Sequence, residues 1–145
     1  MSEHIQESLN TLLADYQVLY QKLRTYHWTV RGPMFFELHV KFEELYNETA
    51  LRVDELAERV LAIGGSPLPT LAAQLEAARL SEDAGGPDAT AMVRNLVTDY
   101  EALNRSLREG AKLAEEGDDN ATFNLLEGIA DGQEKTAWML RAYLG

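Results

Sequence analysis

Apolar side chains recur along this chain at steps of four and three. Ile5, Leu9, Leu12, Tyr16, Leu19, Leu23, Tyr26 and Val30 form one such series, and Leu38, Phe42, Leu45, Thr49, Leu56, Val60 and Ile63 a second. Val93, Leu96, Tyr100, Leu103, Leu107 and Ala114 form a third, and Leu126, Ile129, Ala137, Leu140 and Leu144 a fourth. Each series is one stripe of a helix with about 3.6 residues per turn, not the alternation of a strand. Breakers separate them at Gly32-Pro33, Gly64-Gly65-Ser66-Pro67-Leu68-Pro69, Gly85-Gly86-Pro87 and Gly117-Asp118-Asp119. The pattern predicts helices over 3–31, 33–64, 87–116 and 119–143. Pro33 is expected in the first turn of the second helix, where its missing N–H costs nothing. Gly64 and Gly65, with Pro67 beyond, suit that helix's C-terminus. The first helix would be about 43 Å long at 1.5 Å per residue. Long helices joined by short turns make an all-α four-helix bundle. The stretch 65–86 exceeds a tight turn and carries Leu71, Leu75 and Ala78, so a short helix is expected to cross there. Gly110, Gly128 and Gly132 fall inside predicted helices, where each marks either a close approach or nothing.

Composition narrows the field. The 145 residues fit a single domain spanning 1–145, and 46% hydrophobic content is ordinary for a globular chain. No run approaches the roughly 20 apolar residues of a membrane span, and the N-terminus shows no secretory signal, so a cytoplasmic protein with no membrane association is expected. The absence of cysteine excludes disulfides, thiolate metal sites and cysteine catalysis. The net charge of −11 disfavours general polyanion binding and is compatible with attracting cations. There is no phosphate loop, no nucleophile motif and no Glu-x-x-His pair of the kind that builds a metal site inside one bundle.

Three histidines occur: His4, near the chain end and given no role, His27 and His39. His39 and Glu43 are four apart, as are Asp54 and Glu58. At 100° per residue these four positions fall at about 0°, 40°, 60° and 100°, on one side of the second helix. Positions 43 and 54 are nevertheless about 16 Å apart along the axis, so one chain cannot bring both pairs to one metal. Two antiparallel copies can. The midpoint of 39 and 58 and the midpoint of 43 and 54 coincide, between residues 48 and 49. A two-fold axis there sets His39 opposite Glu58, and Glu43 opposite Asp54, of the other copy, with His27 from the preceding helix to complete each site. Imidazole with carboxylates suits Fe(II), Zn or Mn. Asp54 and Glu58 repel each other unless a cation intervenes. The nearby cations have partners of their own in the pairs Glu48–Arg52 and Glu55–Arg59, which leaves a metal or an arginine brought by tertiary structure.

Tyr26-His27-Trp28-Thr29-Val30-Arg31-Gly32-Pro33-Met34-Phe35-Phe36-Glu37-Leu38-His39 and the run from Val53 to Pro67 resemble the DNA-protection-during-starvation (Dps) proteins, the mini-ferritins. So does the end of the chain from Trp138 to Gly145, and the resemblance covers nearly the whole sequence. It implies a ferritin-like bundle assembled as a hollow homododecamer, with ferroxidase centres at its two-fold interfaces. His27, His39 and Glu43 would come from one subunit, and Asp54 and Glu58 from its neighbour. Many members carry Asp where this chain has Glu43, so the second of the two iron positions is expected to be altered. The implied reaction is oxidation of Fe(II), with hydrogen peroxide preferred to oxygen, followed by storage of ferric mineral; the alternative is a DNA-compacting protein with secondary iron chemistry. Ligand histidines must be neutral, so acid weakens the site. Trp28 is expected to serve mainly in core packing, with trapping of stray oxidising equivalents as its functional reading.

The resemblance also places an iron-entry pore at the third turn, where Glu116, Asp118, Asp119, Glu127 and Asp131 cluster. Asp118 or Asp119 is expected to cap the following helix, with Asp131 the better pore residue. DNA binding is expected to be weak or absent. The first 21 residues hold no Lys or Arg, the four lysines are scattered at 22, 41, 112 and 135, and no basic extension follows the last helix.

Overall fold

The computed structural model describes residues 2–145. Helix α1 spans Ser2–Thr29, α2 Phe35–Ala62, the short α3 Leu71–Ala77, α4 Ala89–Glu116 and α5 Asn120–Leu144. Helices α1 and α2 pack as one hairpin and α4 and α5 as the other, and α1 also meets α4 and α3. The predicted stripes face inward. Leu9, Leu12, Leu19 and Leu23 of α1, Phe42 and Leu56 of α2, Leu96 and Leu107 of α4, and Leu126 and Leu140 of α5 share one core. At about 25 cal/mol per Å² of apolar surface, a fully buried leucine stabilises the fold by roughly 2 kcal/mol. Among the described residues no helix is long and apolar enough to cross a membrane.

The helix boundaries depart from expectation at Pro33. It lies outside the second helix, at the corner of a turn closed by the Phe35 N–H donating to Gly32 O at 3.1 Å. Met34, at φ −100° and ψ 21°, occupies the bridge region normal for the third residue of a type I turn. The fixed φ of proline suits the second position of that turn, so helix α2 starts two residues later. It has no side-chain cap. Helices α4 and α5 are capped: Asp88 accepts from Ala91 N, and Asp119 from Thr122 N.

The long connection from α2 to α4 is tied down by α1. Asn10 donates to Ser66 O and accepts from Leu68 N. Asp15, 2% exposed, accepts from the Arg79 and Leu80 amides and pairs with the Arg79 guanidinium at 3.0 Å. The Tyr26 hydroxyl donates to Asp83. The crossing helix forms where expected, capped by Thr70. Its Leu71 and Leu75 nevertheless remain largely exposed in the single chain. Of the three helical glycines only Gly110 marks a close approach: a Cβ there would lie 2.8 Å from Ser8 Oγ and 3.0 Å from Leu126 Cδ1. Gly128 and Gly132 face open space.

Candidate metal centre

The end of α1 and the start of α2 meet across the Gly32–Pro33 turn and bring His27 and His39 face to face. Their ring centroids are 3.8 Å apart and the planes 11° from parallel. Each ring donates from Nδ1 to the other residue's carbonyl: His27 to His39 O and His39 to His27 O, both at 2.7 Å. A carbonyl only accepts, so both Nδ1 atoms carry hydrogen, and in the neutral ring Nε2 keeps its lone pair. Such a bond behind the imidazole fixes tautomer and orientation for a metal at the other nitrogen. Phe35 stacks against the outer face of His39 at 4.9 Å, and Tyr46 sets its ring edge-on to His27 at 5.3 Å. His27 is buried and His39 half-buried. The Glu43 carboxylate, largely exposed, reaches to 3.6 Å from His27 Nε2.

Asp54 and Glu58 are exposed on the same side of α2, farther along the helix. The neighbouring Asp54 carboxylate pushes the Glu58 carboxyl above the usual range. Among the described residues no ion pair reaches either one. The expected Glu55–Arg59 pair is not formed. Arg52 takes both Glu48 and Glu55, at 3.3 and 3.2 Å, while Arg59 turns to Asp119 at 3.0 Å and Thr122 at 2.8 Å. Among the described residues no three His, Asp or Glu side chains of one chain close round a metal. One chain thus gathers His27, His39 and Glu43 at one end of this face and leaves Asp54 and Glu58 together at the other.

Exposed apolar side chains share that face. Phe36 is 78% exposed, Val40 55%, Leu51 62% and Leu61 59%. At 100° per residue they fall between about 40° and 120° from His39, among the candidate ligands. Phe36 and Leu61 share the midpoint of the two ligand pairs, as do Val40 and Ala57.

The acidic turn divides. Asp119 is occupied: it accepts from the Thr122 amide and hydroxyl and pairs with Arg59. Against the desolvation that raises it, these bonds and the Arg59 charge hold its carboxyl below the usual range. Glu127 is paired with Arg108 at 2.7 Å. Glu116, Asp118 and Asp131 are exposed and form no ion pair among the described residues. Trp28 is not a core residue. It is 57% exposed and lies under the Arg24 guanidinium at 5.0 Å, because the last turn of α1 rotates it away from the bundle while His27 turns inward. The sequence reading missed the flanking rings of Phe35 and Tyr46. A signal was present, since 35, 39 and 46 recur at helical spacing, but only the α1–α2 contact makes them a wall around His27.

Helical topology and a paired-imidazole site at an exposed helix face define a ferritin-like protein, and residues 6–145 match the Ferritin family, described as a ferritin-like domain. The chain is 48% identical over 144 residues to DNA protection during starvation protein 2 of Bacillus anthracis, covering 99% of each. It superposes on a Dps crystal structure from Bacillus brevis with a TM-score of 0.98 at 48% identity, covering 99% of this chain and 97% of that one. A Dps from Vibrio cholerae O1, described as a member of a broad superfamily of ferritin-like diiron-carboxylate proteins, gives a TM-score of 0.96 at 40% identity, covering 99% and 91%. The chain belongs to the Dps family.

Proposed function

We propose that this protein is a cytoplasmic ferroxidase and iron store. Fe(II) is its substrate, oxidised with hydrogen peroxide in preference to oxygen, and ferric mineral is its cargo inside a homododecamer. The observation that carries the reading is the reciprocal imidazole–carbonyl pair. It fixes the tautomer of both histidines and leaves Nε2 of each for a metal, with a carboxylate beside His27. The donor set, nitrogen and oxygen without sulfur, fits Fe(II), and the carboxylates favour the harder Fe(III) that oxidation produces. Glu43 belongs to the half-site of its own chain. Asp54 and Glu58 complete the half-site of a neighbour. Two Fe(II) at one centre would supply together the two electrons that, with two protons, reduce one peroxide to two waters, so no hydroxyl radical is released.

Assembly is part of the same reading. The α2 face is apolar, exposed and self-complementary about residues 48 and 49, so burying it against a second copy removes Phe36, Val40, Leu51 and Leu61 from water. Iron entry is assigned to the exposed carboxylates of the acidic turn, Asp118 and Asp131 first; Asp119 and Glu127 already hold Arg59 and Arg108.

The test uses two variants and their mixture. His39→Ala and Asp54→Ala each lose rapid Fe(II) oxidation. Shells reassembled from both recover part of it, because a two-fold pair with one chain of each kind has one intact centre and one doubly damaged centre. Stable mixed shells with no recovery would show that the ligands are not shared between chains. Elemental analysis of Fe(II)-loaded protein after size exclusion should find iron with a particle near twelve chains. A monomer free of iron would overturn both the shell and the iron store.

A further inference from the structure

Both hydrogen bonds behind the imidazoles end on main-chain carbonyls, so the backbone aims the rings. The two carbonyls are not equivalent. His39 O lies in the second turn of α2, where the amide four residues on already bonds it, and His27 Nδ1 takes its second lone pair. His27 O lies in the last turn of α1, which ends at Thr29. Val30 N–H still donates to Tyr26 O at 2.9 Å, but among the described residues no backbone amide reaches His27 O. The last carbonyls of a helix have no partner within it. His39 Nδ1–H, 2.7 Å from His27 O, supplies the partner. One histidine thus caps the C-terminus of the helix that carries the other.

Three residues beyond Thr29 the chain bends toward α2. Gly32 takes φ +109° there, and a Cβ added to it would meet no heavy atom within 4 Å. The position demands a backbone conformation, not space, and L side chains rarely adopt that conformation. Pro33 reinforces the bend, because it disfavours the helical region for the residue before it. Gly32 O then accepts from Phe35 N at 3.1 Å and closes the turn into α2. Resting on the ferroxidase reading, we propose that Gly32 is a positioning residue for the iron site: its left-handed bend stops α1 before another turn forms and keeps His27 O for His39. A residue of ordinary φ at 32 lets residues 30 and 31 relax toward helix, and the Arg31 amide then competes for His27 O. His39 loses its fixed acceptor, and its hydrogen is free to sit on Nε2. A neutral ring protonated there has no lone pair at that atom for a metal.

Gly85 supplies a matched control. Its φ is +107°, a Cβ there also meets nothing within 4 Å, and it lies in the connection between the hairpins. Gly32→Ala and Gly85→Ala should therefore lose similar thermal stability, and only the first should disturb the site. Two readouts need no iron. The chain has three histidines, so solid-state NMR of assembled protein labelled at the histidine nitrogens shows which ring nitrogen carries hydrogen, in mildly alkaline buffer where the rings are neutral. Wild type and Gly85→Ala should show two rings protonated at Nδ1 alone, and Gly32→Ala should show a ring protonated at Nε2. Zn(II) takes the same donors without redox chemistry. Calorimetry should find it bound about 10–100-fold more weakly by Gly32→Ala, the usual cost of losing a partner behind a ligand, and with wild-type affinity by Gly85→Ala. Gly32→Asn should fall between, because asparagine enters positive φ more readily than alanine. Wild-type tautomers and Zn(II) affinity in Gly32→Ala would overturn the proposal, as would equal losses in the two alanine variants. If Gly32→Ala fails to assemble, Gly32→Asn decides: a weaker Zn(II) site with Nε2 protonation supports the role, and wild-type values overturn it. If these differences appear but wild type does not oxidise Fe(II), the ferroxidase reading fails and the positioning of the rings stands.

Discussion

One carboxylate, Asp119, caps α5, bonds the Thr122 hydroxyl and holds Arg59 of α2. Losing an N-cap costs about 1 kcal/mol, up to roughly 2, so Asp119→Ala should destabilise by about that much at neutral pH. The sign of its pH dependence follows from its depressed ionisation. A carboxyl held below its unfolded value, about 3.9 for Asp, contributes stability that is fully present above that value and lost as pH falls through the folded one. The gap between wild type and Asp119→Ala, read by denaturant unfolding, should therefore be constant near neutrality and close in acid. A gap that widens below pH 4 would contradict this assignment. The sequence narrowed the α5 cap to Asp118 or Asp119, and the structure assigns it to Asp119. Its partner was not legible, because Glu55–Arg59 satisfies the i, i+4 rule equally well and only the approach of α5 to α2 redirects Arg59.

Among the elements, α2 was the most legible and its beginning the least. Its apolar stripe, its C-terminal glycines and the one-sided placement of His39, Glu43, Asp54 and Glu58 follow from spacing alone. Its first turn does not, since Pro33 fits both a first helical turn and the second position of a type I turn, and the choice falls to the Phe35–Gly32 hydrogen bond. The reciprocal bonds of His27 and His39 were equally hidden, because they depend on how closely α1 and α2 approach. Glycine offers a direct test of helix packing. Gly132→Ala fills open space and should gain up to about 1 kcal/mol from helix propensity. Gly110→Ala gains the same propensity but forces Leu126 and Ser8 to move, and overpacking of this kind costs about 1–3 kcal/mol. Thermal unfolding should place the Gly110→Ala midpoint below that of Gly132→Ala; the reverse order would mean that α1 and α5 yield easily around α4.

For the molecule as a whole, charge decides what it meets. Each chain carries −11, and the proposed shell of twelve would multiply that charge. Duplex binding depends on neutralising phosphates with Lys and Arg, and α1 has no cation before Lys22 apart from His4. Plasmid mobility in a gel shift at low salt, with EDTA to remove bridging divalent ions, should be unchanged by the protein. A retarded complex that dissolves with salt would reveal a basic surface formed only on assembly.

The connection between the two hairpins has an uneven grip. Up to Asp83 it is tied to α1 through Asn10, Asp15 and Tyr26, and from Asp88 onward it belongs to α4. Between those anchors Gly85 and Gly86 both take positive φ, and a Cβ on either would meet nothing. Covalent continuity there does no packing. A foreign peptide spliced between the two glycines would consequently be carried as cargo by an undisturbed bundle. Cutting the backbone at the same point would leave two complementary fragments, each a complete hairpin, held together by the core they share.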